Sequence, residues 1–140
     1  MSTLEFETSI QPAQGFHFSI TTKLSPDIPP ECTAVNLRFT LPPSVFADPY
    51  ELDLHRSAFS YHISALPDLE LPTSAVDQAD IVLDVNAAIS SPPIVTVPVH
   101  ARYGEAKDTG EDMFESIHIK YPKVTLLCQS KGVLPVTSTA

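Results

Sequence analysis

Residues 35–52 read VNLRFTLPPSVFADPYEL, and the first seven of them alternate strictly between apolar and polar side chains. A period of two is typical of a β-strand with one face in the core and the other in solvent. We therefore predict a strand over residues 35–41 that leads directly into the turn made by Pro42 and Pro43. Its inward side chains are Val35, Leu37, Phe39 and Leu41.

The rest of this stretch contains no glycine and joins the Pro-Pro turn to two aromatic and two acidic residues. We predict one helical or 3₁₀ turn at residues 44–46. Asp48 is predicted to be extended, because a residue before proline is disfavoured in the helical region. Residues 51–55 are then expected to resume as a strand, with Leu52 and Leu54 pointing inward.

Two roles are open for Phe46 and Tyr50: anchors for a protein partner, or plugs that hold this segment on the core. We favour the second role. Asp48 and Glu51 are then expected to accept hydrogen bonds from nearby backbone groups or from Arg102.

Alternation with a period of two recurs along the chain, and no segment keeps the helical period of 3.6 over three turns. Pro98 places its strand at a sheet edge or introduces a bulge. The fold class is therefore predicted as all-β, an antiparallel β-sandwich of about eight or nine short strands. Residues 1–131 form a single domain, and residues 132–140, which lack charge, form a flexible C-terminal tail. The other predicted strands cover residues 4–9, 16–22, 59–64, 79–85, 94–103, 114–121 and 124–128.

The charge balance argues against several classes of partner. The chain of 140 residues carries a net charge of −9, and its eight Lys and Arg are scattered. Binding of nucleic acid or of an anionic lipid surface needs clustered positive charge, so neither is expected. No N-terminal signal is visible, and the longest uncharged run, residues 85–99, is too short and too rich in proline to span a bilayer.

The two cysteines, Cys32 and Cys128, allow one disulfide. Sequence reasoning leaves a disulfide and two buried thiols equally open, since the choice depends on the redox compartment.

Catalytic and metal-binding arrangements are not evident. The five histidines lie singly on separate predicted elements, so we expect surface or cross-strand histidines and no metal site. There is no nucleophile motif and no phosphate-binding loop, so we expect neither catalytic residues nor a cofactor. His100 and Arg102 lie on one strand face, where they either bind a phosphate or carboxylate or keep that face solvated. We expect residues 41–52 to face residues 97–103 across the fold.

Two segments together resemble a known family. LPPSVFADPYEL at residues 41–52 is similar to the "LP…lFvDpyEL" element of the PIG-X family, and VPVHARY at residues 97–103 is similar to its "PvHlRY" element. YPKVTLLC at residues 121–128 resembles its "P…C" segment. The residues that carry this resemblance are Leu41, Pro42, Phe46, Asp48, Tyr50, Glu51, Leu52, Pro98, His100, Arg102 and Tyr103.

The resemblance implies a non-catalytic accessory subunit of glycosylphosphatidylinositol (GPI) mannosyltransferase I, which adds the first mannose of the GPI anchor. The implied partner is the catalytic, multispanning mannosyltransferase subunit, and the implied location is the lumen of the endoplasmic reticulum. Membrane contact is expected only through a C-terminal anchor that this chain does not contain. In an oxidising lumen, Cys32 and Cys128 are expected to form a disulfide.

Two other functions remain open. A soluble β-sandwich chaperone or protein-binding module, independent of the transferase, predicts an exposed apolar patch or an open edge strand. An enzyme acting on sugars requires two carboxylates that face each other across a cleft.

Overall fold

The computed structural model describes residues 5–11, 17–65, 80–101, 119, 121–129 and 132–138. Within these residues the chain forms nine strands and one short helix. In chain order they are β1 (Glu5–Gln11), β2 (His17–Leu24), β3 (Cys32–Leu41), β4 (Val45–Phe46), α1 (Pro49–Asp53), β5 (Ser60–Ile63), β6 (Ile81–Ala88), β7 (Ile94–Ala101), β8 (Lys123–Cys128) and β9 (Gly132–Ser138).

The strands form two sheets that share β9. One sheet has the order β4-β7-β2-β1, the other has the order β8-β3-β6-β5, and β9 pairs with β1 on one side and β8 on the other. The β1–β9 pair is parallel and involves Glu5 with Thr137 and Phe6 with Ser138. The other pairs among the described strands are antiparallel. The predicted antiparallel all-β class is therefore confirmed.

Alternation along the strands builds one core between the two sheets. In β3, the four side chains predicted to point inward are at most 2% exposed, and Leu83 and Val85 of the neighbouring β6 are fully buried. From the other sheet, Ile20, Val97 and Val99 join the same cluster. Complete burial of an aliphatic or aromatic side chain stabilises a fold by roughly 1.5–3 kcal/mol. The sequence pattern therefore predicted the core face of these strands correctly.

Proline in β7 is accommodated at a lightly covered edge. The β2–β7 register is regular, with Pro98 opposite Ser19, so the pairing contains no bulge there. On its other side, β7 pairs with β4 only at His100 and Ala101. The predicted bulge is not observed at Pro98, and among the described residues β2 is the strand that pairs with β7 at this position. A residue without an N–H is tolerated where one side of its strand has no partner.

Two predictions about the C-terminal part of the chain were wrong. Gly132–Ser138 is strand β9 rather than part of a loose tail, and its Val136 is buried. Tyr121, the last residue of the strand predicted over residues 114–121, is exposed and lies before β8, which begins at Lys123. The rest of the strand predicted over residues 114–121, apart from Ile119, lies outside the described residues.

A disulfide joins Cys32 of β3 to Cys128 of β8. The two residues are register partners in adjacent strands, and both are buried. Of the two redox states that the sequence left open, the structure contains the disulfide. Among the described residues, no helix has the length and apolar character needed to cross a lipid bilayer.

Candidate functional site

The N-cap residue of the helix α1 is Asp48, which directly precedes Pro49, the first residue of the helix. Asp48 is extended (φ −84°, ψ 117°), and its Oδ1 accepts a hydrogen bond from the backbone N–H of Tyr50 at 2.9 Å. An aspartate at the N-cap followed by proline at the first helical position is a favourable helix start. The predicted extended backbone at Asp48 is confirmed. The predicted strand over residues 51–55 is wrong, and Leu54 is 81% exposed rather than inward.

The two-residue strand β4 attaches the segment before the helix to β7 by strand pairing. Val45 pairs with Ala101 of β7, and Phe46 pairs with His100. The helical or 3₁₀ turn predicted at residues 44–46 is therefore wrong for Val45 and Phe46, because strand pairing with β7 determines the backbone there. Residues 41–52 were expected to face residues 97–103 across the fold. Instead, over the part of the second segment that the structure describes, Val45 and Phe46 pair with β7 as neighbouring strands of one sheet.

Three polar side chains meet where α1 lies beside the adjacent ends of β2 and β7. His17 and His100 are directly opposite each other in the β2–β7 register. The Nε2 atom of His17 lies 2.9 Å from Oε2 of Glu51, and Nε2 of His100 lies 3.1 Å from Oε1 of the same carboxylate. The two imidazole rings meet edge to face, with centroids 4.6 Å apart. Glu51 thereby links α1 to both strands.

Phe46 and Tyr50, both interpreted as plugs, lie in different environments. Phe46 is half-buried, and its ring stacks on His100 at a centroid distance of 5.1 Å and an interplanar angle of 10°. Tyr50 is 77% exposed, so the plug interpretation is wrong for that residue. The reason is the helix: positions 50 and 52 lie on opposite faces of α1, and Leu52 occupies the buried face.

The remaining motif residues divide between the core and the part of the chain that is not described. Leu41 and Leu52 are buried, Pro42 is half-buried, and Pro98 is buried within β7. Glu51, expected to bind backbone groups or Arg102, binds the two histidines. Arg102 and Tyr103 lie outside the described residues.

A second cluster holds the C-terminal end of α1 against β5. The hydroxyl of Tyr61 donates to Oδ1 of Asp53 at 2.6 Å, and Arg56 Nε donates to the same oxygen at 3.1 Å. The hydrogen bond from Tyr61, followed by the bond and charge of Arg56, lowers the pKa of Asp53. The same hydrogen bond raises the pKa of Tyr61. The exposed guanidinium of Arg56 also lies 5.9 Å from the centre of the tyrosine ring.

Sequence reasoning did not find the group formed by His17, Glu51 and His100. The expectation of surface or cross-strand histidines is confirmed for His17 and His100, which strand pairing brings together although they are 83 positions apart. Their shared contact with Glu51 was not predicted. The signal that could have found this group was the pairing register of the two strands that carry His17 and His100. A correct alignment of the predicted strands at 16–22 and 94–103 would have placed His17 opposite His100.

Comparison with known proteins identifies the family of this chain. The family model described as PIG-X / PBN1 matches residues 13–138, which is most of the sequence. The chain belongs to the PIG-X / PBN1 family. The match includes residues 41–52 and 97–103, the two segments that carried the sequence resemblance, and it covers strands β2 to β9 and the helix α1.

One curated relative of this PIG-X / PBN1 chain is Protein pbn1 of Aspergillus oryzae (strain ATCC 42149 / RIB 40). It is 25% identical over 140 aligned residues, which cover 89% of this chain and 25% of the relative. The chain therefore spans about a quarter of the length of that protein. The PIG-X / PBN1 family is one of accessory proteins in GPI-anchor biosynthesis, associated with the endoplasmic reticulum.

Proposed function

We propose that this domain is a non-catalytic accessory subunit of GPI mannosyltransferase I and stabilises its multispanning catalytic subunit on the luminal side of the endoplasmic reticulum. The observation that carries the proposal is the family match over residues 13–138. The disulfide between Cys32 and Cys128 supports it, since disulfides persist in oxidising compartments such as this lumen.

The exposed face of α1 is the surface proposed to contact the catalytic subunit. Tyr50 and Leu54 are one helical turn apart on this face, and they are 77% and 81% exposed. Neither side chain packs in the core, whereas Leu52 on the opposite face is fully buried. Exposed aromatic and aliphatic side chains held on a fixed element are typical anchors of protein interfaces.

The carboxylates of this region support a binding role over sugar hydrolysis. Glu51 binds two histidines, Asp53 binds Tyr61 and Arg56, and Asp48 caps α1. A glycosidase needs a general acid whose pKa is raised. The pKa of Asp53 is lowered, which is the opposite direction.

The test combines depletion with rescue by matched variants. Cells depleted of the protein are complemented with the wild type, with Tyr50→Ala/Leu54→Ala, or with Tyr121→Ala, which removes an exposed tyrosine from a different part of the fold. We expect depletion to lower both the amount of the catalytic subunit and the addition of the first mannose. The wild type and Tyr121→Ala should restore both. The double variant should restore neither, although its Tm should equal that of the wild type.

Two results would contradict this proposal in different ways. An unchanged amount of the catalytic subunit and unchanged first mannosylation after depletion would disprove the accessory role and favour a protein-binding module independent of the transferase. Co-purification of the catalytic subunit with Tyr50→Ala/Leu54→Ala at the wild-type level would show that the α1 face is not the contact surface.

A further inference from the structure

His17, Glu51 and His100 present a set of atoms that matches the ligands of a transition metal. Both histidines direct the same ring nitrogen, Nε2, toward one carboxylate, and the three potential ligand atoms all lie within 4.8 Å of one another. Two imidazoles and one carboxylate form a recurrent protein site for Zn²⁺ with a further position open to water. We propose that these three residues bind a divalent transition-metal ion, with Zn²⁺ as the best-fitting ion.

The supporting structure limits the movement that metal binding requires. Ligands on a tetrahedral Zn²⁺ lie about 2.0–2.2 Å from the ion and therefore roughly 3.4 Å from each other. Because the potential ligand atoms lie within 4.8 Å of one another, no pair of them must contract by more than about 1.4 Å. Strand pairing holds His17 beside His100, and Phe46 stacks on the His100 ring, so two of the three ligands belong to rigid elements.

Exposure differs among the three side chains in a way that suits an open coordination position. The side chains of Glu51 and His100 are 22% and 25% exposed, whereas that of His17 is 59% exposed. The ion would enter from the His17 side, and water would complete its coordination there. The net charge of −9 also favours the approach of a cation over that of an anion.

Metal binding would replace hydrogen bonds that already hold the cluster together. Without an ion, each Nε2–H donates to one oxygen of Glu51. On binding, each Nε2 gives its lone pair to the ion, and its proton moves to Nδ1 of the same ring or to solvent. The ion then joins β2, β7 and α1 in place of these hydrogen bonds, so it should stabilise the fold by an amount that grows with the logarithm of the free ion concentration divided by Kd.

The test uses the chain without a histidine tag, freed of metal with a chelator. Titration with Zn²⁺ in a calorimeter should show one saturable site per chain, and Zn²⁺ should raise the Tm. Mg²⁺ should do neither at the same concentration, because it prefers oxygen ligands in octahedral geometry. Co²⁺ in place of Zn²⁺ should give the visible absorption of a nitrogen- and oxygen-bound ion.

Two variants and one matched control locate the site. His17→Ala and Glu51→Gln should each weaken Zn²⁺ binding by more than about 100-fold, since loss of a ligand exceeds the roughly 10–100-fold lost with an outer-shell partner. His62→Ala removes an exposed strand histidine outside the cluster and should bind Zn²⁺ as the wild type does. Because His17 lies exposed at a strand end, its variant should match the metal-free wild type in circular dichroism.

The proposal fails if the wild type shows no saturable Zn²⁺ site at micromolar concentrations. It also fails if Glu51→Gln binds Zn²⁺ as tightly as the wild type, or if His62→Ala weakens binding as much as His17→Ala. Metal binding and partner contact use different side chains, so failure of one proposal leaves the other intact.

Discussion

Asp53 shows how a single exposed carboxylate can connect two elements of this fold. It lies at the last residue of α1, and it receives hydrogen bonds from Tyr61 of β5 and from Arg56 in the turn between them. These bonds stabilise the ionised carboxylate, which is why the pKa of Asp53 is lowered. The link between α1 and β5 therefore depends on pH.

The sign of this dependence gives the first prediction. A carboxylate with a lowered pKa in the folded state contributes stability above its unfolded value, 3.8, and loses it as the pH falls through the folded value. We expect the wild type to have a slightly higher Tm than Asp53→Asn near neutral pH. The difference should shrink as the pH falls below 3.8, and thermal melts at several pH values measure it.

Tyr61→Phe serves as the control for that experiment because it removes the donor that lowers the pKa most. In this background, Asp53→Asn should have less effect on Tm near neutral pH than it has in the wild type. An equal effect in both backgrounds would show that the hydrogen bond between Tyr61 and Asp53 contributes nothing to stability.

Local sequence predicted the backbone of Asp48 but not the partners of the neighbouring Glu51 side chain. The extended backbone of Asp48 followed from Pro49 alone, since the restriction acts between neighbours. The partners of Glu51 did not follow, because they lie 34 and 49 positions away and meet it only through the pairing of β2 with β7.

The helix α1 is the element on which the site depends, and sequence periodicity could not reveal it. Its five residues make about one and a half turns, which is too few for a 3.6-residue period to be seen. The informative signal was the N-cap Asp48 followed by Pro49, which favours a helix start regardless of length.

One leucine of α1 should determine whether the helix stays on the core. Leu52 is fully buried, so Leu52→Ala should lower the free energy of unfolding by about 2–5 kcal/mol, the range for such truncations in a packed core. Urea denaturation monitored by circular dichroism measures this change.

Leu54→Ala is the matched control in the same segment. Leu54 is 81% exposed, so its truncation should change the free energy of unfolding by at most about 0.5 kcal/mol. Similar losses for the two variants would mean that α1 does not rest on the core through Leu52.

The strand β9 could not be predicted because its own sequence carries no strand pattern. Residues 132–138 carry no charge and no clear alternation, so nothing local distinguished them from a tail. Their structure comes from partners at both ends of the chain: β8 just before them and β1 at the beginning. Strands such as β3 and β6, whose sequences alternate between apolar and polar side chains, could be predicted without knowledge of their partner strands.

At the scale of the whole molecule, the disulfide closes a covalent loop that contains most of the chain. Cys32 and Cys128 are 96 positions apart. Restricting the unfolded chain over such a loop stabilises the fold by about 4–5 kcal/mol in the chain-entropy model, and removal of a native disulfide from a small domain typically costs about 2–5 kcal/mol.

We therefore expect Cys32→Ala/Cys128→Ala to lose about 2–5 kcal/mol of unfolding free energy relative to the oxidised wild type. Denaturant unfolding of the two proteins without reductant measures the difference. Adding dithiothreitol should destabilise the wild type and leave the variant unchanged. If the reductant had no effect on the wild type, and both cysteines of the native protein reacted fully with a thiol reagent, the disulfide would be contradicted.

The position of β9 between the two sheets also has a consequence for synthesis. Ribosomes make the chain from its N-terminus, so β1 and β8 both emerge before the strand that pairs with each of them. Until residues 132–138 leave the exit tunnel, both strands present unpaired edges that can capture other chains. We therefore expect the nascent domain to be most prone to association with other chains late in translation, before β9 pairs with β1 and β8.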